Sequence, residues 1–292
     1  MKRRHFLCTV LASCFSADLL SAIAVEQTAF KGDAVLKRII SHAHAGHWAA
    51  LPIGVLMGKI AGEFEGTPYV ANTLEFSPDK EICSANLVGL DCVTFFETTL
   101  DLARIIKKGL HKSSDLLAEI AYTRYRGGVP GDYSTRLHYT TDWFIDNEKK
   151  GVVKLLTDLP GATNFGQKVS FMSAHPASYP SLVSHPALVA KIKSSEDIIN
   201  SHSFVFYPTD KITALEGSLK TGDIVGLCTA QAGLDIAHTG LVYRTKDGVA
   251  HFMDASSRKG KMKVVLETTA IGEYMAGSKS IIGAMFARPL EL

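Results

Sequence analysis

The chain has 292 residues, 46% of them apolar and 21% charged, and its formal net charge is +2. This describes an ordinary globular protein with enough apolar material for one sizeable core or two modest ones. Lysines and arginines are interspersed with acids and form no blocks, so charge gives no basis for a nucleic-acid partner.

The first element in chain order is residues 1–24, with a basic start, an apolar middle and small residues at Ala22 and Ala24. That layout predicts a secretory signal and hence export to the periplasm or cell envelope. Arg3, Arg4, Phe6 and Leu7 resemble the twin-arginine address. A competing reading makes Leu11-Ala12-Ser13-Cys14 a lipobox, with Cys14 lipidated and the mature chain tethered to a membrane. A buried N-terminal helix fits less well, because Asp18 interrupts the apolar face. No other stretch reaches membrane-spanning length, so no integral membrane segment is expected. Beyond the leader, Cys83, Cys92 and Cys228 are too few for a disulfide scaffold. Cys83 and Cys228 are expected to be buried as small apolar residues, with a disulfide between them as the alternative.

Helical patterns dominate residues 32–150, with a capped segment from Ser113 to Tyr125 and another ending near Gly151. Within them, "HAHAGH" raises a zinc reading through His42, His44 and His47. In a helix His44 and His47 share a face while His42 points elsewhere, and no nearby carboxylate or thiol completes a ligand set, so no metal is expected. From Cys92, "CVTFFETTLDLARIIKK" spaces Phe95, Phe96, Leu100, Leu102 and Ile106 as an amphipathic helix closed by lysines. Cys92 then opens the helix. Unpaired amides and the helix dipole favour negative charge there, which is how cysteines at such positions become nucleophiles. The plainer alternative is a thiol packed at the start of a buried helix.

The stretch "YSTRLHYTTDW", residues 133–143, concentrates Arg136, His138, Tyr139, Asp142 and Trp143. Arginine grips carboxylates in bidentate fashion and an aromatic face covers a sugar ring, so a substrate cleft is expected here. The opposing reading pairs Arg136 with Asp142 internally and buries Trp143. His138 is also a rival for the catalytic base.

After residue 151, short strand-like runs take over. "GDIVGLCTAQAGLDIAHTGLVYRTKDGVAHFMDASS", residues 222–257, predicts three strands, the last two joined by a turn at Lys246-Asp247-Gly248. His238 begins the middle strand. Closing the hairpin on that turn places His238 opposite Asp254 or within about one residue of it, near enough for contact. His251 alternates to the other face. Cys92 as nucleophile, His238 as base and Asp254 as the group orienting the base are the parts needed for acyl transfer through a thioester.

These residues resemble a known family. Gly-Asp before one strand, "HTGLVY" on the next and "FMDASS" on the third are similar to the core of NlpC-type cysteine peptidases. "GTPYV", "LDCVTFFE", "YSTRLHYTTDW" and "FMSAHPASY" resemble, more specifically, the bacterial N-acetylmuramoyl-L-alanine amidase-like branch, across nearly the whole chain beyond the leader. His238 follows Cys92 by 146 residues, within the range of roughly 130–150 seen in papain-like enzymes. The resemblance implies Cys92 as nucleophile and His238 as base. Asp254 takes a third position where many relatives have histidine, so the orienting group is where this chain departs. Tyr69 falls where such enzymes carry a tyrosine near the cysteine, suited to helping an oxyanion beside the Cys92 amide; a rim aromatic is its alternative. Asp91, Arg136, His138, Tyr139 and Trp143 are the remaining substrate-binding candidates.

The expected fold is α+β and papain-like: one catalytic domain, 25–292, with a helical part at about 30–150 packed on an antiparallel sheet or small barrel at about 151–292. The expected activity is cofactor-free hydrolysis of the N-acetylmuramoyl-L-alanine amide of peptidoglycan or muropeptides. Alternatives are a γ-D-glutamyl-diamino acid endopeptidase and a non-catalytic wall-binding module.

Overall fold

The computed structural model describes residues 28–292. The export signal expected at 1–24, with Cys14, lies outside the described residues. The chain is a mixed α+β structure. Strand β1 (Thr28–Lys31) pairs in parallel with β2 (Cys83–Asn86). Around this small sheet lie α1 (Asp33–Ala45), α2 (Ile53–Glu63), α3 (Cys92–Lys107), α4 (Ser113–Arg124) and α5 (Thr140–Lys149). The second half adds strands β3 (Val153–Leu155), β4 (Thr163–Phe165), β5 (Phe204–Pro208), β6 (Ile224–Thr229), β7 (Ile236–Arg244), β8 (Ala250–Ser256), β9 (Lys263–Ala270) and β10 (Ile281–Pro289). They form one antiparallel sheet in the order β4-β5-β10-β6-β7-β8-β9, with β3 also on β10.

Helices also interrupt the second half, where strand-like runs were expected to dominate: α6 (Phe171–Ala174), α7 (Pro180–Ser184), α8 (Leu188–Ser201), α9 (Thr209–Leu215) and α10 (Ile271–Ala276). The largest of these, α8, buries Ile192, Glu196 and Ile199 at helical spacing. Between the two faces of the sheet the core divides. Ile224, Cys228, Leu241 and Met253 pack toward the α1–α5 side, while Val225, Leu227, Val242 and Phe252 pack against α9 and α10. Alternation along β6 therefore buries both of its faces, which explains its unbroken apolar run.

Helix α3 is the axis of the molecule, packing on α2, α4, β7 and β8. The sequence predicts an amphipathic helix, but its polar side is buried as well. Glu97 accepts hydrogen bonds from Arg124 on α4 at 2.9 Å and from the Trp143 indole on α5 at 2.9 Å. Thr123 donates to Asp101 at 3.0 Å, and Arg104 to Glu119 at 2.5 Å. Arg124–Glu97 and Arg104–Glu119 are opposite charges paired out of water, the condition under which buried ions are tolerated, whereas burial, with Glu97 and Glu119 nearby, raises the pKa of Asp101 well above the ordinary carboxylate value. At the other end of the sheet, Gly222 has φ +90°, and a side chain there would strike the backbone of Gly54 at 2.5 Å. That contact brings α2 against the turn leading into β6.

Candidate active site

Cys92 is the first residue of α3. Asp91 caps the helix: its Oδ1 accepts from the Thr94 amide at 2.8 Å while the Thr94 hydroxyl accepts from the Asp91 amide at 2.9 Å, a reciprocal capping box. Its Oδ2 accepts from the Thr73 hydroxyl at 2.9 Å. Both carboxylate oxygens are thereby committed to the helix start and to the loop before it, so Asp91 shapes the site where substrate contact was expected. The cap serves the third amide of the helix and leaves the Cys92 amide at the open end, where helical geometry gives it no intrahelical acceptor.

The base comes from the sheet. On β7 the ladder with β6 shifts between Leu227↔His238 and Cys228↔Ile236, so Ala237 is an extra residue in a β-bulge directly before His238. Bulges bend a strand and re-aim the neighbouring side chain. The β7–β8 register runs from Arg244↔Ala250 to Leu241↔Met253, and extending it sets Asp254 opposite Gly240. His238 and Asp254 are thus diagonal neighbours two positions apart on one face, where near-opposite pairing was expected; a hairpin centred on Asp247 itself sets Gly240, not His238, opposite Asp254. Gly240 suits this arrangement, since a side chain there would press on the Phe252 ring at 2.6 Å and the Met253 carbonyl at 2.5 Å. The Phe252 ring instead lies across the strand, edge-on to the His238 ring at 5.9 Å.

His238 Nε2–H donates to Asp254 Oδ2 at 2.6 Å, and the same ring hydrogen-bonds Cys92. Since Nε2 is engaged by Asp254, Nδ1 is the nitrogen available to the thiol. Burial on its own would lower the pKa of His238, but the hydrogen bonds to Asp254 and Cys92 outweigh it and raise the value to about 10. Asp254 is fully buried, and its Oδ1 has no hydrogen-bond partner among the described residues. His251 turns away and bonds the Thr269 carbonyl at 2.9 Å. Tyr69 lies against Cys92 and Asp91, with its hydroxyl bonded to Ser257; burial first, then those neighbouring charges, raise its pKa, so it stays a neutral donor.

The 133–143 stretch divides. Trp143 is buried in the core with its indole on Glu97, so it offers no face to a sugar. Arg136 is also buried: it donates to the Leu74 carbonyl at 3.0 Å and to Glu75 at 2.6 Å, lies 3.4 Å from Glu81 and stacks over Tyr133. It anchors loop 72–81 and is not free to hold a substrate carboxylate. Nor does it pair with Asp142, which takes a bidentate bond from Arg126 at 3.0 and 2.6 Å. His138 donates to the Tyr133 carbonyl at 2.7 Å, and burial together with Arg136 pushes its pKa down to about 3, so it is neutral and held away from base duty. Tyr139 donates to buried Glu196 at 2.8 Å and accepts from the Met172 amide at 2.9 Å.

His138 and Tyr139 nonetheless line a groove of about 560 Å³, with Asn72, Tyr133 and Tyr179. Its Ile236 is two residues from His238 on β7, and Asn72 precedes the Thr73 that braces Asp91, while Cys92 and His238 are not among its lining residues. Tyr179, Glu75 and Asp235 were not singled out from sequence. Tyr179 lay inside a quoted motif; Asp235, buried and bonded to Thr141 and the Ile236 amide, had no periodic signal.

His42 pairs with Glu63 at 2.7 Å on an exposed surface, and no group of three metal-ligating side chains converges among the described residues. Cys83 and Cys228 are buried and unbonded to each other; burial pushes the Cys83 thiol up to about 11 and Cys228 well above its ordinary value. No helix among the described residues is long and apolar enough to cross a membrane.

A family model described as AmiA-like, N-acetylmuramoyl-L-alanine amidase-like, matches residues 59–281. Among solved structures, the chain is similar to an N-acetylmuramoyl-L-alanine amidase from Bacteroides uniformis ATCC 8492, at 27% identity and a TM-score of 0.75 over 82% of this chain and 99% of that one. It is also similar to a Bacteroides fragilis protein provisionally named a xylanase, at 33% identity and a TM-score of 0.69 over 78% and 98% of the two chains. A Legionella pneumophila protein at 20% identity and a TM-score of 0.63, over 93% and 97%, shares the fold. Among curated proteins no relative matches.

Proposed function

The chain belongs to the AmiA-like, N-acetylmuramoyl-L-alanine amidase-like family, and from that premise we propose that it is an exported cysteine amidase cutting the bond between the muramic acid lactyl group and L-alanine. The observation that carries this reading is His238 bonded on one side to Asp254 and on the other to a cysteine at a helix N-terminus. A nucleophile helix packed on an antiparallel sheet that supplies the base also supports an NlpC-type, papain-like assignment, with 25–292 as one catalytic domain. The three-part layout of residues 1–24 supports export.

In this mechanism Cys92 Sγ attacks the lactyl carbonyl carbon, and the oxyanion forms near the Cys92 amide and the Tyr69 hydroxyl. His238 gives its proton to the alanine nitrogen, the C–N bond breaks, and the peptide leaves as an amine. A thioester joins the muramyl acyl group to Cys92. Water, deprotonated by His238, then attacks the thioester, releasing the muramyl acid and restoring the thiol. Asp254 keeps the ring in the required orientation throughout. No step needs a cofactor.

Incubation with a defined muramyl-peptide, with products identified by mass, separates the readings. Free sugar acid plus a peptide beginning with L-alanine is expected. A stem shortened between D-glutamate and the diamino acid would indicate the endopeptidase, and an unchanged substrate the wall-binding module.

A further inference from the structure

We propose that Asp235 is a positioning residue for the base: by tying the start of β7 to helix α5, it fixes the bulge that turns His238 onto Asp254 and Cys92. This rests on the reading of His238 as the base and adds a residue that acts through it. The argument starts from the bulge. Ala237 is the extra residue between the pairs Leu227↔His238 and Cys228↔Ile236, and a slip of one residue there would send His238 to the opposite face of the sheet. A bulge leaves its extra residue unpaired, so contacts outside the ladder have to hold the chain on its approach to Ala237.

Asp235 supplies them. It is buried two residues before Ala237. Its Oδ1 accepts from the Ile236 amide at 2.7 Å, and its Oδ2 accepts from the amide and the hydroxyl of Thr141, in the first turn of α5, at 2.8 and 2.7 Å. Its own carbonyl accepts from the Thr229 amide at 3.2 Å, which closes the loop between β6 and β7. The tip of that loop is pinned separately, by the Ser170 and Phe171 amides on the Gly233 carbonyl, both at 3.0 Å, and by the Gln167 side chain on the Gln231 carbonyl at 2.7 Å. Every donor to the carboxylate is neutral, and its ionisable neighbours, Asp142 on α5 and Cys228 on β6, bring no positive charge. A carboxylate taken out of water without a cation costs stability, of which the N-terminus of α5 recovers a part. What the arrangement provides is a reference point. Helix α5 is itself locked to α3, the helix that Cys92 opens, through the Trp143 indole on Glu97 at 2.9 Å. Base and nucleophile are thereby set against each other by a second route, running from His238 through Asp235, α5 and Glu97 to α3.

The test titrates the His238 ring by NMR in the full-length protein labelled at histidine, alongside kcat and KM for a muramyl-peptide. Asp235→Asn keeps the shape, but the amide must turn its NH₂ toward either the Ile236 amide or the Thr141 amide, which breaks the tie on one side. The His238 pKa, raised to about 10 in the unaltered protein, should fall by about one unit or more as the ring leaves its partners. Turnover should fall on the order of a hundredfold, the effect of misplacing a reacting group by about 1 Å, with KM within about threefold. Thr141→Val, which removes one of the three bonds, should give the same changes on a smaller scale and serves if the asparagine variant does not fold. In an Asp254→Asn background, where the ring has lost its acid, Asp235→Asn should move the titration much less. Asn147→Ala breaks other buried bonds of α5; it should lower the thermal midpoint and leave the titration in place. An unmoved His238 in Asp235→Asn, an equal shift in both backgrounds, which would make Asp235 a direct charge, or an equal shift in Asn147→Ala would each overturn the proposal. The titration needs no substrate, so its movement in a protein that releases no L-alanyl peptide leaves the positioning role standing and removes the amidase reading.

Discussion

At the residue scale, the site depends on one histidine held between a carboxylate and a thiol. The His238 pKa, raised to about 10, predicts that the imidazolium needed to protonate the leaving amine persists well above neutral pH. The alkaline limb of kcat/KM should fall near that value. Asp254→Asn removes the charge and should shift the limb downward while lowering turnover; an unmoved limb would mean that another group sets it. Asp254→His, the residue that the resemblance to NlpC-type peptidases implies for the third position, should retain more activity than Asp254→Ala, and equal activity in wild type and Asp254→Ala would reduce the constellation to a Cys92–His238 pair. Because the folded pKa is raised, the stabilisation from this group is complete below its ordinary value of 6.5 and is lost as pH rises toward about 10. The thermal midpoint should decline across that window less steeply in Asp254→Asn. Iodoacetamide should label Cys92 faster than Cys83 or Cys228, which are buried with raised pKa values. Peptide mapping of the labelled protein gives the order.

At the scale of elements, a cap, a bulge and a buried network aim these residues. Asp91→Ala should cost about 1 kcal/mol through loss of the cap and also free the Thr73 loop, so denaturant melts and turnover should both respond. Deleting Ala237 would make the β6–β7 ladder regular and turn His238 from its present direction; turnover should vanish while the circular dichroism of the sheet remains. Glu97→Ala should destabilise by about 3–5 kcal/mol, since it leaves Arg124 charged and buried without its main partner. The convergence of Cys92, His238 and Asp254 was legible because each signal is local: a thiol before a helical run, and a hairpin around a visible turn. The diagonal offset was legible too: a hairpin centred on Asp247 sets Asp254 opposite Gly240, two positions from His238, and the near-opposite expectation did not carry that count through. Trp143 and Arg136 misled for a different reason. Their partners, Glu97 and the 74–81 loop, are about fifty or more residues away in the chain, and nothing near them in sequence says that they are occupied. Helix α8 was missed because only three of its fourteen positions are buried.

At the scale of the molecule, the helices of the first half and one face of the sheet share a continuous core, and α3 runs through it from Cys92 inward. The thiol and the base are thus brought together by the packing of the two halves, which should unfold together. Fluorescence of Trp143 in the helical half and far-ultraviolet dichroism should give coincident melts, and separated transitions would contradict a shared core. The central claim is that amide cleavage runs through Cys92. The most direct measurement compares wild type and Cys92→Ala, matched in circular dichroism, for release of L-alanyl peptide from a muramyl-peptide. The account predicts a new L-alanine N-terminus with wild type, unaffected by chelator, and none with the variant; undiminished release by Cys92→Ala would contradict it.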